Sequence, residues 1–276
     1  MKRILCTIAA MIAAFFSSCG RSVSTDTLTV SFIDVGKGDC ILAECGGNAL
    51  LIDTGYEETA QTVLGYLSER GIEKLDCMII THYDKDHVGG AAVIAESIPV
   101  ERILLPGYEG DSKYHTLLMN VIRQKEIASE KVSRITNISA GSAGFTVYPS
   151  DIEYSSDGKE GNDNDVSLVI SAQHEKDSYL FAGDIEKAGI KSFLKKNDRT
   201  YDVLKMPHHG RKESNTDDLI EAAAPKIAVI TDSAGDPADK KVISLLDRTK
   251  LLRSSECGNI VIESSGDAKY RTQTAK

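Results

Sequence analysis

Thr81-His82-Tyr83-Asp84-Lys85-Asp86-His87-Val88-Gly89-Gly90 closes a short apolar run that begins at Leu75. The run reads as a buried strand, and the residues from His87 onward as a helix. Four side chains able to bind a metal, His82, Asp84, Asp86 and His87, therefore fall within six residues at a strand end. A loop there can turn several of them toward one point. Imidazole nitrogen and carboxylate oxygen together suit Zn, Mn or Fe.

Two distant segments repeat the device. Leu180-Phe181-Ala182-Gly183-Asp184 ends an apolar strand in Asp, and Leu204-Lys205-Met206-Pro207-His208-His209-Gly210 ends another in paired His. Alone, each is a turn or a polar corner. Together, three strand ends carrying ligand-type residues point to one shared site, and four of the six His lie in them.

Around these motifs the chain alternates strands and helices. Residues 27–35, 40–45 and 49–53 read as a β-meander. Residues 57–70 carry helical periodicity, with Gly71 as the cap. A strand at 100–105 and a helix at 114–124 follow. The second half reads as strands at 145–148, 166–172, 179–182, 201–206 and 226–230, with helices at 185–194, 215–223 and 240–248. Residues 259–263 read as a closing edge strand, and the chain after Gly266 as a frayed polar tail. Two β-rich halves with interleaved helices and no fixed-period repeat predict a layered α/β architecture in one domain.

Composition narrows the class. The 276 residues are 41% hydrophobic and 26% charged with only six Pro, which excludes collagen-like, low-complexity and disordered chains. With 32 Lys+Arg against 41 Asp+Glu the formal charge is −9. Global attraction to nucleic acid or an anionic membrane is excluded, so a bound polyanion needs a local basic patch or a metal. Cys40 and Cys45 share one expected strand, about 16 Å apart at its rise per residue, too far for a disulfide. The cysteines of the domain are expected as buried free thiols.

Lys2 and Arg3 precede an uncharged, mostly apolar run of 13 residues, 4–16. That is too short for a membrane span, which takes about 20 residues, and suits a secretory signal. Ser17-Ser18-Cys19-Gly20 resembles the bacterial lipobox. Residues 1–18 are thus expected to be a signal peptide and 19–26 a lipidated N-terminus and tether acylated at Cys19. The folded domain is expected over 27–266, and a polar tail over 267–276. The protein is expected to be exported to the cell envelope and anchored in the membrane; an ordinary cleaved signal with an incidental Cys and a retained N-terminal segment are the alternatives.

The motif set resembles the metallo-β-lactamase fold superfamily, and within it the hydrolase domain of the competence protein ComEC and its free-standing relatives. Asp34-Val35-Gly36-Lys37-Gly38-Asp39 resembles that group's opening signature, with Lys for Gln. Leu51-Ile52-Asp53-Thr54-Gly55, His82 to Gly90, Asn164-Asp165-Val166-Ser167, Gly183-Asp184 and His208-His209-Gly210 follow in the group's order. The resemblance implies a four-layer αββα sandwich with two divalent ions, Zn or Mn, at one sheet edge. It implies His82 and Asp84 on the first ion, Asp86 and His87 on the second, and Asp184 between them. One His of the doublet completes the second site, taken as His208, and His209 faces substrate as a catalytic group with Asp86. Asp53 supports an imidazole from behind. Asp84 stands where many members have His, and Asn164 or Asp165 stands near the missing third-motif His, so the first site is expected to be oxygen-rich.

Two divalent ions lower the pKa of bound water toward about 7 and give a hydroxide nucleophile. Lys205, Arg211 and Lys212 flank the doublet and are expected to bind an anionic substrate. The expected function is an exported metal-dependent hydrolase of a phosphodiester, with DNA implied by the resemblance. The alternatives are a hydrolase of another ester (lactone, thioester or cell-envelope phosphoester) and a non-catalytic metal-binding surface lipoprotein. No obligate protein partner is indicated. Cys19→Ser is expected to release the protein from the membrane fraction of expressing cells; unchanged retention would refute the lipid anchor.

Overall fold

The computed structural model describes residues 27–156 and 161–276; the signal-peptide and lipid-anchor readings of residues 1–26 lie outside them. Six strands come first: β1 (Leu28–Phe32), β2 (Ile41–Cys45), β3 (Asn48–Ile52), β4 (Cys77–Ile79), β5 (Arg102–Leu105) and β6 (Ala128–Lys131). Seven more build a second sheet: β7 (Thr136–Ala140), β8 (Ala143–Tyr148), β9 (Val169–His174), β10 (Asp177–Phe181), β11 (Val203–Lys205), β12 (Ile227–Ile230) and β13 (Lys250–Arg253). The chain then returns to the first sheet with β14 (Ile260–Ser264) and β15 (Tyr270–Thr274). The helices are α1 (Ala60–Glu69), α2 (Lys85–Val88), α3 (Ala91–Ser97), α4 (Lys113–Gln124), α5 (Lys187–Lys196), α6 (Thr216–Ala223), α7 (Lys240–Leu245) and α8 (Ser254–Cys257).

Alternation along the strands sets the layers, because successive side chains face opposite sides. Leu28, Val30 and Phe32 of β1, Leu50 and Ile52 of β3, Phe145 and Val147 of β8, and Tyr179 and Phe181 of β10 meet in a core between the sheets. The intervening residues of the first sheet, such as Leu51, Met78 and Ile103, pack under α1, α3 and α4. Those of the second sheet, such as Leu180, Leu204 and Ala228, pack under α5, α6 and α7. Three stacked cores make four layers, the expected αββα sandwich.

The first sheet runs β15-β14-β1-β2-β3-β4-β5-β6 and the second β13-β12-β11-β10-β9-β8-β7. Each is antiparallel on one side and parallel on the other: β3 to β6 and β10 to β13 are parallel. The ends of β3, β4, β10, β11 and β12 carry Asp53, Thr81-His82, Asp184, the His doublet and Thr231. Ligand sites in α/β sheets favour the carboxyl ends of parallel strands.

Two expectations need correction. Residues 259–263 do not form an edge: β14 lies between β1 and β15. Nor is the segment after Gly266 frayed, since Tyr270–Thr274 pairs with β14 along its whole length. Cys40, Cys45 and Cys77 are buried free thiols, as expected, whereas Cys257 is free but only partly buried. Among the described residues no helix is long and apolar enough to cross a membrane.

Gly89 lets the segment behind His87 lie against the loop after β3. A Cβ there would collide with the Lys85 carbonyl and sit 2.8 Å from Glu57 N and 2.9 Å from Gly55 O. Gly65, in the exposed middle of α1, has nothing within 4 Å of the same position. Two Gly→Ala changes should therefore have opposite signs. Gly89→Ala should cost about 1–3 kcal/mol of unfolding free energy by overpacking, whereas Gly65→Ala should add about 0.5–1 kcal/mol. Urea denaturation of both variants checks this, and a neutral Gly89→Ala would refute the close packing.

Candidate metal centre

Asp53 sits just past β3 with a left-handed backbone, φ 56°. A non-glycine residue held there stores strain of about 1–3 kcal/mol, which surrounding contacts must offset. Its carboxylate receives those contacts. Oδ1 accepts from Thr81 N at 2.8 Å, and Oδ2 accepts from Thr81 Oγ1 at 2.7 Å and faces His87 Nδ1 at 2.8 Å. Thr81 Oγ1, its proton given to Asp53, accepts from His82 Nδ1 at 3.0 Å. One buried carboxylate thus fixes two imidazoles.

His209 is fixed by a parallel device. Its Nδ1 meets Thr231 Oγ1 at 3.1 Å, and Thr231 Oγ1 donates to Asp39 Oδ1 at 2.6 Å. All three imidazoles therefore commit Nδ1 to the protein frame and leave Nε2 free, which is how metal-binding His are oriented. The free nitrogens converge. His87 Nε2 and His209 Nε2 lie 3.3 Å apart, and 3.3 and 3.1 Å from Asp184 Oδ2. His209 Nε2 is 3.4 Å from Asp86 Oδ2. His82 joins His87 and Asp184 in one cluster of ligand atoms, all within 4.8 Å of one another. Asp84, with a half-exposed side chain, stands 3.8 Å from His82 Nε2.

The doublet is placed the opposite way from the sequence expectation. His209 is the buried member of the doublet and joins Asp86, His87 and Asp184. His208 instead lies between Glu186, at 3.3 Å, and Glu213, at 3.9 Å, with 18% of its side chain exposed. Both His have positive φ, 48° and 51°. That turn throws neighbouring side chains to different sides, which spacing alone does not reveal.

Lys205 is also misplaced by the sequence reading. It is fully buried and ion-paired with Asp39, so it is no substrate contact. Alternation explains this, since Lys205 shares the face of Val203, toward the space between the sheets. Lys212 turns to Asp217 at 3.0 Å, away from the centre. Arg211 alone of the three stays half exposed at the rim, 3.5 Å from Asp236. Asp165 does not reach the centre: its Oδ1 accepts from Gly189 N at 2.8 Å, which anchors α5. Asn164 donates to Glu186 Oε1 at 2.8 Å.

Asp39 and Thr231 were not singled out as site residues from the sequence. Thr231 ends an apolar strand, as Thr81 does, and Asp39 ends the Gly36-Lys37-Gly38-Asp39 turn. The same strand-end rule would have found Thr231.

Charge tests whether divalent cations fit. Four carboxylates, Asp39, Asp53, Asp86 and Asp184, gather around the imidazoles of His87 and His209, and Lys205 pairs with two of them, Asp39 and Asp184. Burial opposes charge on His87, yet Asp184 and Asp53 outweigh it and hold the imidazole well above its ordinary value. His209 is pushed up to about 10 against burial, chiefly by Asp184. Protons are thus drawn into the cluster where positive charge is wanted. His82 is the exception, held well below its usual value by burial and then by His87. Its Nε2 is buried without any hydrogen-bond partner, the state of a nitrogen lone pair awaiting a metal. Burial, then Asp163 and Asp86, raise Asp84 to about 6, and a cation would reverse that shift. The donor set fits divalent ions.

The Metallo-beta-lactamase superfamily profile matches residues 33–231. ComE operon protein 3 of Bacillus subtilis (strain 168) is 28% identical over 287 residues, an alignment covering 93% of this chain and 35% of that protein. Competence protein ComA of Neisseria gonorrhoeae is 25% identical over 224 residues, covering 79% of this chain and 29% of that protein. The chain spans about a third of the length of the curated relatives it matches. Among solved structures, Tm1679, a metal-dependent hydrolase of the beta-lactamase superfamily, shares the fold with a TM-score of 0.55 at 14% identity, covering 82% of this chain and 95% of that one. The matched span runs from the end of β1 to Thr231 and encloses every residue of the centre, from Asp39 onward, so the chain belongs to the metallo-beta-lactamase superfamily.

Proposed function

We propose that the protein is an exported metal-dependent hydrolase of phosphodiesters, with DNA as the substrate. The observation that carries the reading is the convergence of His82, His87 and His209 on Asp184, with Nε2 of His82 buried and unpartnered. In this reading His82 and Asp84 hold one divalent ion, and Asp86, His87 and His209 the other, with Asp184 shared. The ions, Zn or Mn, would supply Lewis-acid polarisation of a phosphoryl oxygen and a water acidified for attack.

The chain's own residues do the rest. Asp53, Thr81 and Thr231 engage Nδ1 of each imidazole, so that Nε2 is the nitrogen presented to an ion. His208, partly exposed and flanked by Glu186 and Glu213, is assigned to protonate the leaving oxygen. Arg211 at the rim is assigned to a substrate phosphate. This supports an anionic substrate despite the formal −9, because attraction is then local. DNA is supported by a relative named for competence and another named Recombination protein 2. Export and a lipid anchor at Cys19 are supported by the N-terminal segment alone.

The test is metal analysis of the purified chain, then assays on bis-p-nitrophenyl phosphate, single- and double-stranded DNA and a lactone panel with Mn²⁺ or Zn²⁺. Phosphodiester turnover is expected. His87→Ala and Asp184→Ala should each lower it at least about 100-fold, since losing an orienting partner already costs about 10–100-fold. Turnover confined to lactones would replace the substrate class. Stoichiometric metal with no turnover would favour a binding lipoprotein, and full activity in both variants would overturn the site.

A further inference from the structure

We propose that Lys205 is a positioning residue of the cation centre: its ammonium holds Asp184 through Oδ1 and thereby presents Oδ2 to the imidazole side. The inference rests on the cation-centre reading above.

Lys205 Nζ has three acceptors: the Asp39 carboxylate, Gly183 O at 3.1 Å and Asp184 Oδ1 at 3.4 Å. An ammonium carries three N–H groups, so each has a partner and none is left for substrate. The side chain is fully buried, which closes the route to solvent as well. Asp184 depends on this contact. Its Oδ2 faces His87 Nε2 and His209 Nε2, the atoms proposed to bind cations. Among the described residues, the recorded side-chain partner of Oδ1 is Lys205. Once ions occupy the imidazole side, the ammonium is the group left to fix the rotation of the carboxylate.

Charge and positioning make opposite predictions. A positive charge beside cations repels them, so if Lys205 acted by charge alone its removal would tighten divalent binding. If it positions Asp184, its removal weakens binding. A third role, mere partner of Asp39, must also be separated, because Lys205→Met alone strands a buried carboxylate. Lys205→Met combined with Asp39→Asn removes both charges and leaves the net charge unchanged. The amide introduced by Asp39→Asn can still accept from Thr231 through its carbonyl oxygen, so the support of His209 is kept.

The experiment is Mn²⁺ binding to the full chain, followed by equilibrium titration and by the electron paramagnetic resonance spectrum of the bound ions. Thermal melting serves as the folding control. The double variant should melt cooperatively, bind Mn²⁺ about 10- to 100-fold more weakly, and lose the coupled two-ion signal of the wild type. Asp39→Asn alone keeps the Lys205–Asp184 contact and should lose clearly less Mn²⁺ affinity than the double variant. Equal or tighter Mn²⁺ binding by the folded double variant would overturn the role of Lys205 while leaving the centre intact. So would a loss in Asp39→Asn alone as large as that in the double variant. A wild-type chain that binds no Mn²⁺ or Zn²⁺ would overturn the centre itself, and this inference with it.

Discussion

Crowded negative charge at the meeting line of two sheets is the constraint around which this molecule is arranged. Asp39, Asp53 and Asp184 are buried beside strand ends, and Asp86 lies half-buried in α2 next to them, where burial would ordinarily force carboxylates to take up protons. Burial does push Asp53 upward, but Lys205 and the imidazoles hold Asp39 and Asp184 below their usual range. The backbone is bent to suit. Asp53, His208 and His209 adopt left-handed conformations that an isolated peptide avoids, and hydrogen bonds to Thr81 and Thr231 hold the side chains of Asp53 and His209 in place.

The centre joins the halves of the chain chemically. The first sheet and its loops supply Asp39, Asp53, His82, Asp86 and His87, and the second supplies Asp184, Lys205, His209 and Thr231. The Asp39–Lys205 ion pair and the Thr231–Asp39 hydrogen bond cross from one to the other. Main-chain bonds do the same: Leu168 N donates to Thr81 O at 2.9 Å, beside His82. Neither half forms the cluster alone.

What the sequence disclosed follows from where water is. Eleven strands were legible because their apolar runs are buried between neighbours. The four that escaped notice, β6, β7, β13 and β15, are the four edges of the two sheets. Their sequences, such as Ala128–Lys131 and Tyr270–Thr274, are polar because one flank faces solvent. The His82–His87 segment and Asp184 were legible for a different reason: ligand-type residues at the end of an apolar strand have few structural uses. Direction was not legible. The positive-φ turn at the doublet decides which imidazole enters the cluster, and spacing is blind to it. The inward face of Lys205 could have been read from the in-and-out order Val203, Leu204, Lys205, but charge beside a His doublet suggested the surface instead.

The pairing of β1 with β14 has a temporal consequence. Leu28 meets Ser264 and Phe32 meets Ile260, so the opening strand finds one of its two neighbours more than two hundred residues later. Bringing such remote segments together is slow, because loop entropy must be overcome before the contact rewards it. As the polypeptide emerges from the ribosome, its first sheet stays two strands short until almost the whole chain has been made. Until then β1 carries one unpaired edge, which the chain's own last strands close.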